Sequence, residues 1–466
     1  MSNFVFYDFE TSSSNKYWGQ IIQIGAVLTN DNLDELDRFD ARCRLSPGII
    51  PEAMALIVNK TSPSMLKKSN LSHYEMIRQF VETLKRWGKA TYIGFNSIEF
   101  DEEFLRCTLF QTLEYPYITS TNGNTRGDIL SLARAANLYY PNTLKNSVNE
   151  KGNDVYKLDQ MAPLNGIEHG DAHSAIGDVI ATIGIAKLIS KKAPNVWKAS
   201  MLTMDKNQSL ELIKKELLFC TNEYFYGRSR PYVQTFICQH PQYQWPLCFD
   251  LRHDPSPYLD MPIKELTAAM KKQPKFIRTV RHNKHPVIMN PSYGNQFDEY
   301  KLIGTKKLEQ RAKMIKNNQT FAEKVSSVKR SEIDEKEQSK SQEDILAEES
   351  IYNRFTPNKD TALYYLYRDQ DVASANDRAG STKSDNPYKF EISLRSDDDK
   401  TLKKVRKAMN TTSILSYLLY EDGKITIDEI TPLDRFGILY DNNTCLLYTS
   451  DAADDTPCVD LGGRRI

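Results

Sequence analysis

An uninterrupted apolar run, Phe4-Val5-Phe6-Tyr7, leads straight into Asp8-Phe9-Glu10-Thr11. Four consecutive apolar residues predict a strand covered on both faces, which calls for a sheet with helices packed on each side. Side chains alternate along a strand, so Asp8 and Glu10 project to the same side of its end. Two carboxylates held together repel each other unless a cation lies between them. Asp-x-Glu pairs are also common on exposed strand edges, so the pair gains meaning only from its setting. Asp101 and Asp178 are the acids expected to complete a divalent-metal site, with His173 supplying a base.

That setting is an alternation of strands and helices over residues 1–190. Residues 21–28 and 39–45 read as partner strands, and 91–95 as a further short strand. Met76, Ile77, Phe80, Val81, Leu84 and Trp87 form a helical stripe within 73–89. Residues 100–113, 128–138 and 173–192 read as further helices. The class is α/β with a mixed sheet. From 200 to 325 the pattern changes. Strands are expected at 224–232, 234–238, 247–251 and 276–289, separated by Pro, Gly and His turns, with helices over 306–325. Residues 326–350, rich in Lys, Glu, Gln and Ser, read as an exposed linker or a charged helix. A loop over 374–387 and a strand plus amphipathic helix over 389–420 follow.

A chain of 466 residues suits roughly three domains. Its balance of 61 basic and 61 acidic residues rules out a surface that attracts polyanions everywhere, so any nucleic-acid contact must come from local patches. No apolar run has the length of a membrane span, and no secretory signal is expected. Seven cysteines without a Cys-x-x-Cys pair read as reduced thiols of a cytoplasmic protein.

Phosphodiester hydrolysis needs a nucleophile and stabilisation of the leaving oxygen. Two divalent ions about 4 Å apart supply both, and they require hard carboxylates from several elements. Asp8, Glu10, Asp101 and Asp178 meet that need, and histidine suits proton transfer near neutral pH. Five helical steps would set His173 and Asp178 about 140° apart. His173 is therefore expected on the loop or first turn, with Asp178 on the helix body. His169 and His173 share the spacing of a zinc helix, but the segment reads His-Gly-Asp-Ala-His and lacks the glutamate that chemistry needs.

Three segments carry a resemblance. They are Tyr7-Asp8-Phe9-Glu10-Thr11, then Gly94-Phe95-Asn96-Ser97-Ile98-Glu99-Phe100-Asp101-Glu102-Glu103, and Asn165-Gly166-Ile167-Glu168-His169-Gly170-Asp171-Ala172-His173-Ser174-Ala175-Ile176-Gly177-Asp178. Together they resemble the bacterial exodeoxyribonuclease I family, within the DEDDh (DnaQ-like, RNase H-like) 3′→5′ exonucleases. Val280-Arg281-His282-Asn283-Lys284-His285-Pro286-Val287 matches a further family segment, and the resemblance covers roughly residues 1–360. It implies an exonuclease domain over 1–195, an SH3-like β-rich domain with flanking helices over 200–345 and a helical C-terminal domain, shortened here, over 350–444. Residues 445–466, ending Gly-Gly-Arg-Arg-Ile, read as a non-native tail.

The resemblance further implies metal binding by Asp8, Glu10 and Asp178, with Asp101 as fourth acid and His173 as base. The metal would be Mg2+, two ions per site, with Mn2+ able to substitute. The implied DNA contacts are Glu10, Arg106, Tyr117, Arg134, Lys157, Asp171, Lys206, Arg278 and Asn283. Lys157 stands where the family has arginine, and Thr121 where it has an aromatic residue. Independently, residues 271–285 hold six Lys or Arg, two His and no acid, a run suited to phosphates, while aromatic rings stack bases without sequence preference. The expected function is a monomeric exonuclease of DNA repair and recombination that degrades single-stranded DNA from a free 3′ end to 5′-mononucleotides. The resemblance adds docking of the acidic tail of single-stranded DNA-binding protein. An exoribonuclease or proofreading exonuclease on the same fold, and a noncatalytic single-strand-binding module, are the alternatives.

Overall fold

The computed structural model describes residues 3–46, 49–168, 174–339, 346–353 and 355–356, with the backbone of four two-residue strands beyond residue 419. The expectations for 350–444 and for the tail 445–466 thus lie almost wholly outside the described residues.

The chain begins with a meander, β1 (Asn3–Thr11), β2 (Ile21–Thr29) and β3 (Glu35–Arg42), all antiparallel. Short helices α1 (Ala53–Val58) and α2 (Pro63–Lys68) precede α3 (His73–Trp87). Ser72 and Glu75 form a reciprocal cap at the start of α3, and its expected stripe is buried from Met76 to Trp87. Then come β4 (Ala90–Gly94), α4 (Asp101–Gln111), β5 (Thr125–Asp128) and α5 (Ile129–Tyr139). β4 pairs parallel to β1 and to β5, giving the mixed order β3-β2-β1-β4-β5. The two-stranded β6 (Ser147–Val148) and β7 (Asp154–Val155) are followed by α6 (Leu158–Leu164), α7 (Ala175–Lys192), α8 (Pro194–Thr203) and α9 (Lys206–Lys215).

Alternation along β1 sorts the layers. Val5, Tyr7 and Phe9 pack with α3 and α4, whereas Phe4 and Phe6 pack with α5 and α7. Asp8 and Glu10 therefore face the α7 side. Gly25, opposite Asp8 in the β1–β2 register, makes the approach of α7 possible. A Cβ there would lie 2.4 Å from the backbone of Ala175 and Ile176. Only glycine lets the first turn of α7 lie on β2, which brings Asp178 over the end of β1.

The second sheet is antiparallel, in the order β11-β10-β9-β8-β12. It comprises β8 (Phe219–Phe225), β9 (Arg228–Gln239), β10 (Pro246–Asp250), β11 (Ile277–Thr279) and β12 (Ile288–Met289). Between β10 and β11 lie α10 (Ser256–Leu259) and α11 (Ile263–Lys271), and α12 (Asp298–Lys301), α13 (Thr305–Lys316) and α14 (Gln319–Ser339) follow. The single strand expected over 224–232 is instead a hairpin, turning at Tyr226 (φ 50°) and Gly227 (φ 72°). Tyrosine is an unusual first turn residue, and the apolar Tyr-Phe-Tyr run masks the reversal. The strand expected over 276–289 divides into β11 and β12, joined by the basic 280–287 segment. Of the two readings for 326–350, the charged helix holds as far as Ser339. One apolar core runs from Val179 and Ile185 through Val233 and Phe249 to Phe321, so the second sheet is packed on the first unit.

Candidate active site

Three carboxylates converge at the end of β1. One oxygen each from Asp8, Glu10 and Asp178 lies within 4.8 Å of the others. Burial, followed by the charges of Asp101, Asp178 and Glu10, drives the Asp8 carboxyl well above the usual carboxylate range. Burial, with Asp178 and Asp101, pushes Glu10 up to about 8 against a smaller pull from Arg42. Such a cluster is costly by itself and suits a hard divalent cation held by carboxylate oxygens.

Asp101, at the start of α4, stands beside this trio without its oxygens joining the cluster. Its Oδ1 accepts the Phe9 backbone N–H at 3.1 Å. Burial raises its pKa to about 8 despite that bond, with Asp128 and Asp178 adding to the rise. His173 and Asp171 lie outside the described residues. Helix α7 starts at Ala175 with Ser174 as its cap, so the expected helical start at 173 moves two residues on, because the Ser174 hydroxyl accepts the Gly177 N–H.

These shifts carry a sign. Glu10 and Asp101 titrate near 8 in the folded chain and near the ordinary carboxylate range when unfolded. The folded state therefore holds extra protons between about pH 4 and 8, and stability falls as pH rises through that window. Melting curves in a chelator are expected to shift downward between pH 5 and pH 8, by several degrees, about. Millimolar Mg2+ is expected to restore the loss most at the alkaline end, where the carboxylates are charged. A melting temperature that rises with pH in the chelator would contradict this.

The DNA-contact candidates divide by what they already touch. Lys157 and Lys206 are exposed. Arg106 is mostly buried, 3.0 Å from Glu102, with its guanidinium over the Tyr117 ring at 5.2 Å. Tyr117 meets the rings of Tyr115 and Phe355 edge-on, each at 6.0 Å. Thr121 donates to the Tyr117 carbonyl at 2.7 Å, so it secures that residue instead of offering a ring. Arg134 stacks on Tyr224 at 3.9 Å. Arg278 is paired through two nitrogens with Glu223, at 2.7 and 2.5 Å, and lies over Tyr232 at 3.7 Å. The Asn283 carbonyl accepts from Arg126 at 3.4 Å. Arg134 and Arg278 share one groove with Lys275, Arg281, Lys284 and Lys329.

Two features were missed from sequence. Glu102, fully buried, accepts from the Tyr7 hydroxyl at 3.1 Å, Thr119 at 2.6 Å and Arg126 at 2.9 Å, and pairs with Arg106. Against the desolvation of burial, Arg126 and Arg106 hold its carboxyl below the ordinary range. Its four-residue spacing from Arg106 was the available signal. The second is a strap: Glu349 accepts the Trp18 indole N–H at 2.7 Å, and the Tyr352 hydroxyl donates to Glu103 at 2.7 Å. No local pattern announces contacts between residues so far apart in sequence.

The exonuclease family described as RNase T matches residues 5–186, a span that contains Asp8, Glu10, Asp101 and Asp178. The chain is similar to exodeoxyribonuclease I of Buchnera aphidicola subsp. Acyrthosiphon pisum, at 32% identity over 45% of this chain and 51% of that one. Exodeoxyribonuclease I of Escherichia coli K12 is 24% identical, over 56% of each chain. The chain thus spans about half the length of the curated relatives it matches. In fold, the structure of E. coli exonuclease I in complex with a dA16 oligonucleotide superposes with a TM-score of 0.71, covering 98% of this chain and 96% of that one at 19% identity. A moderately thermophilic exonuclease I from Methylocaldum szegediense gives 0.71 at 21% identity, covering 99% and 96%. The two sheets and their helices thus lie within an architecture that those proteins share. Among the described residues, no helix is long and apolar enough to cross a membrane.

Proposed function

We propose that the chain is a divalent-metal-dependent 3′→5′ exonuclease that removes 5′-mononucleotides from single-stranded DNA. The observation that carries the reading is the convergence of Asp8, Glu10 and Asp178 within 4.8 Å at a buried strand end. Those three would hold the metal, with Asp101 beside them, as two Mg2+ ions that Mn2+ can replace. Bound there, the metal would lower the pKa of water and offset charge on the leaving oxygen. His173 would take the proton from the attacking water. Glu10 and Asp171 would also contact the DNA. Arg134, Lys157, Lys206, Arg278 and Asn283 would follow the backbone, while Tyr117, backed by Arg106, would stack a base.

The relatives named exodeoxyribonuclease I, and the E. coli protein's complex with dA16, support DNA as the substrate. A zinc-bound form of the E. coli complex with single-stranded DNA supports use of a divalent ion. Free Cys43, Cys107, Cys220, Cys238 and Cys248 fit a reducing cytoplasm. Action as a monomer, and recruitment by the acidic tail of single-stranded DNA-binding protein, complete the proposal. The test is the rate of release from single-stranded DNA against RNA of the same sequence. Faster release from DNA is expected; equal or faster release from RNA would turn the reading toward an exoribonuclease. Tyr117→Ala is expected to weaken single-strand binding roughly 5- to 150-fold, the worth of one stacked base, as read by fluorescence anisotropy.

A further inference from the structure

We propose that the 283–285 turn of the second sheet is a positioning element of the nuclease site. His285 and Lys284 hold the 96–100 loop, and through it Asp101, against the end of β1. The proposal rests on the exonuclease reading and adds a role for residues outside the exonuclease domain.

The chain of contacts is continuous. His285 is 2% exposed, and its Nδ1 accepts the Asp128 N–H at 2.9 Å. With Nδ1 accepting, Nε2 carries the proton and donates to the Ser200 carbonyl at 3.1 Å. Asp128 in turn accepts the N–H of Asn96 at 3.1 Å and of Ile98 at 3.3 Å. Lys284 donates to the Ile98 carbonyl at 3.2 Å and faces Glu99 at 3.5 Å. Arg126 joins the Asn283 carbonyl at 3.4 Å to Glu102 at 2.9 Å.

The loop needs this support. Asn96 sits at φ 63°, a left-handed conformation that surrounding bonds must maintain. Phe100, which caps α4, makes no side-chain cap bond; the start of the helix is tied instead to the loop's own backbone, with the Glu102 N–H donating to the Ser97 carbonyl at 2.8 Å, so the position of the loop sets that of the helix. Asp101 is the first residue of that helix. Asp128 and Lys284 clasp the loop from opposite polarities, one through its N–H groups and one through a carbonyl. Lys284 and His285 also line the basic groove with Arg278 and Arg281. A strand lying in the groove would press on the same turn that sets Asp101.

The test compares His285→Leu with His285→Asn in the full chain, using a single-stranded DNA oligonucleotide and Mg2+. Asparagine places Oδ1 where Nδ1 stood and tolerates the φ of 50° at this position. The leucine variant is expected to lose kcat on the order of 10- to 100-fold with KM nearly unchanged, as misplacement of a reacting group predicts. The asparagine variant is expected to recover most of the rate. Amide exchange at Asn96 and Ile98 should quicken in the leucine variant and stay slow in the asparagine variant. An unchanged kcat, a loss confined to KM, or equal impairment of both variants would overturn the proposal. If the leucine variant does not fold, Lys284→Ala replaces it, with faster exchange across 96–100 and a lower kcat expected, and unchanged exchange overturning. Should the parent not cut DNA, the exonuclease reading fails while amide exchange still decides the latch.

Discussion

Asp8→Asn is expected to abolish nucleotide release and, in a chelator, to raise the melting temperature. Both effects come from one carboxylate. Asp8 shares a confined site with Glu10 and Asp178 and feels the charge of Asp101 as well. Without a cation these groups resist ionisation together, so removing one charge relieves the rest. Near pH 8 the gain is expected to be about 3–6 °C. The same substitution removes an oxygen donor from the proposed metal site, and the catalytic stabilisation such ions provide is several kcal/mol. A fall on the order of 10³-fold in release rate follows. A Mg2+-dependent rise in melting temperature, clear in the parent, should shrink in the variant. An active variant, or one less stable in the chelator, would show that the three oxygens do not form a cation site.

The largest expected loss of stability falls at a residue that does no chemistry. Glu102→Ala leaves Arg106 and Arg126 facing each other with side chains only 12% exposed, and it strips partners from Tyr7 and Thr119. Breaking a buried charge network from one side costs about 3–5 kcal/mol. Urea unfolding should show a lower midpoint at unchanged slope. Glu102→Gln, which keeps an accepting oxygen, should lose less. Activity should fall too, because Glu102 adjoins Asp101 on α4 and anchors the arginine under Tyr117. A cost below about 1 kcal/mol would mean that the two arginines find other partners or water.

What could be read from the sequence was what local periodicity encodes. The apolar run before Asp8, the stripe of α3 and the pairing of Asp8 with Glu10 follow from periods of two and 3.6, and they put both acids on the α7 side of β1. Three of the four acids come together as expected. Asp101 lies beside them with one oxygen turned to the Phe9 N–H, a contact across 92 residues that no spacing encodes. Arg106 and Arg278, expected from the resemblance as DNA contacts, are each paired with a glutamate. The glutamate for Arg106 was one helical turn away and legible; that for Arg278 came from a strand 55 residues distant and was not. The hairpin at Tyr226-Gly227 was hidden by its aromatic flanks. The 280–287 segment showed as basic charge and as a match to a family segment, and neither announces that His285 bonds Asp128 and Lys284 bonds Ile98 across the two sheets.

The most direct test of the central claim is nucleotide release from single-stranded DNA labelled at its 3′ or its 5′ end, with Mg2+, by the full chain and by Asp178→Ala. The carboxylate site predicts that the parent frees labelled mononucleotide at once from the 3′-labelled strand, shortens the 5′-labelled strand stepwise, and that the variant does neither. Tight binding of the strand without cleavage by either protein, or release that begins at the 5′ end, would contradict it.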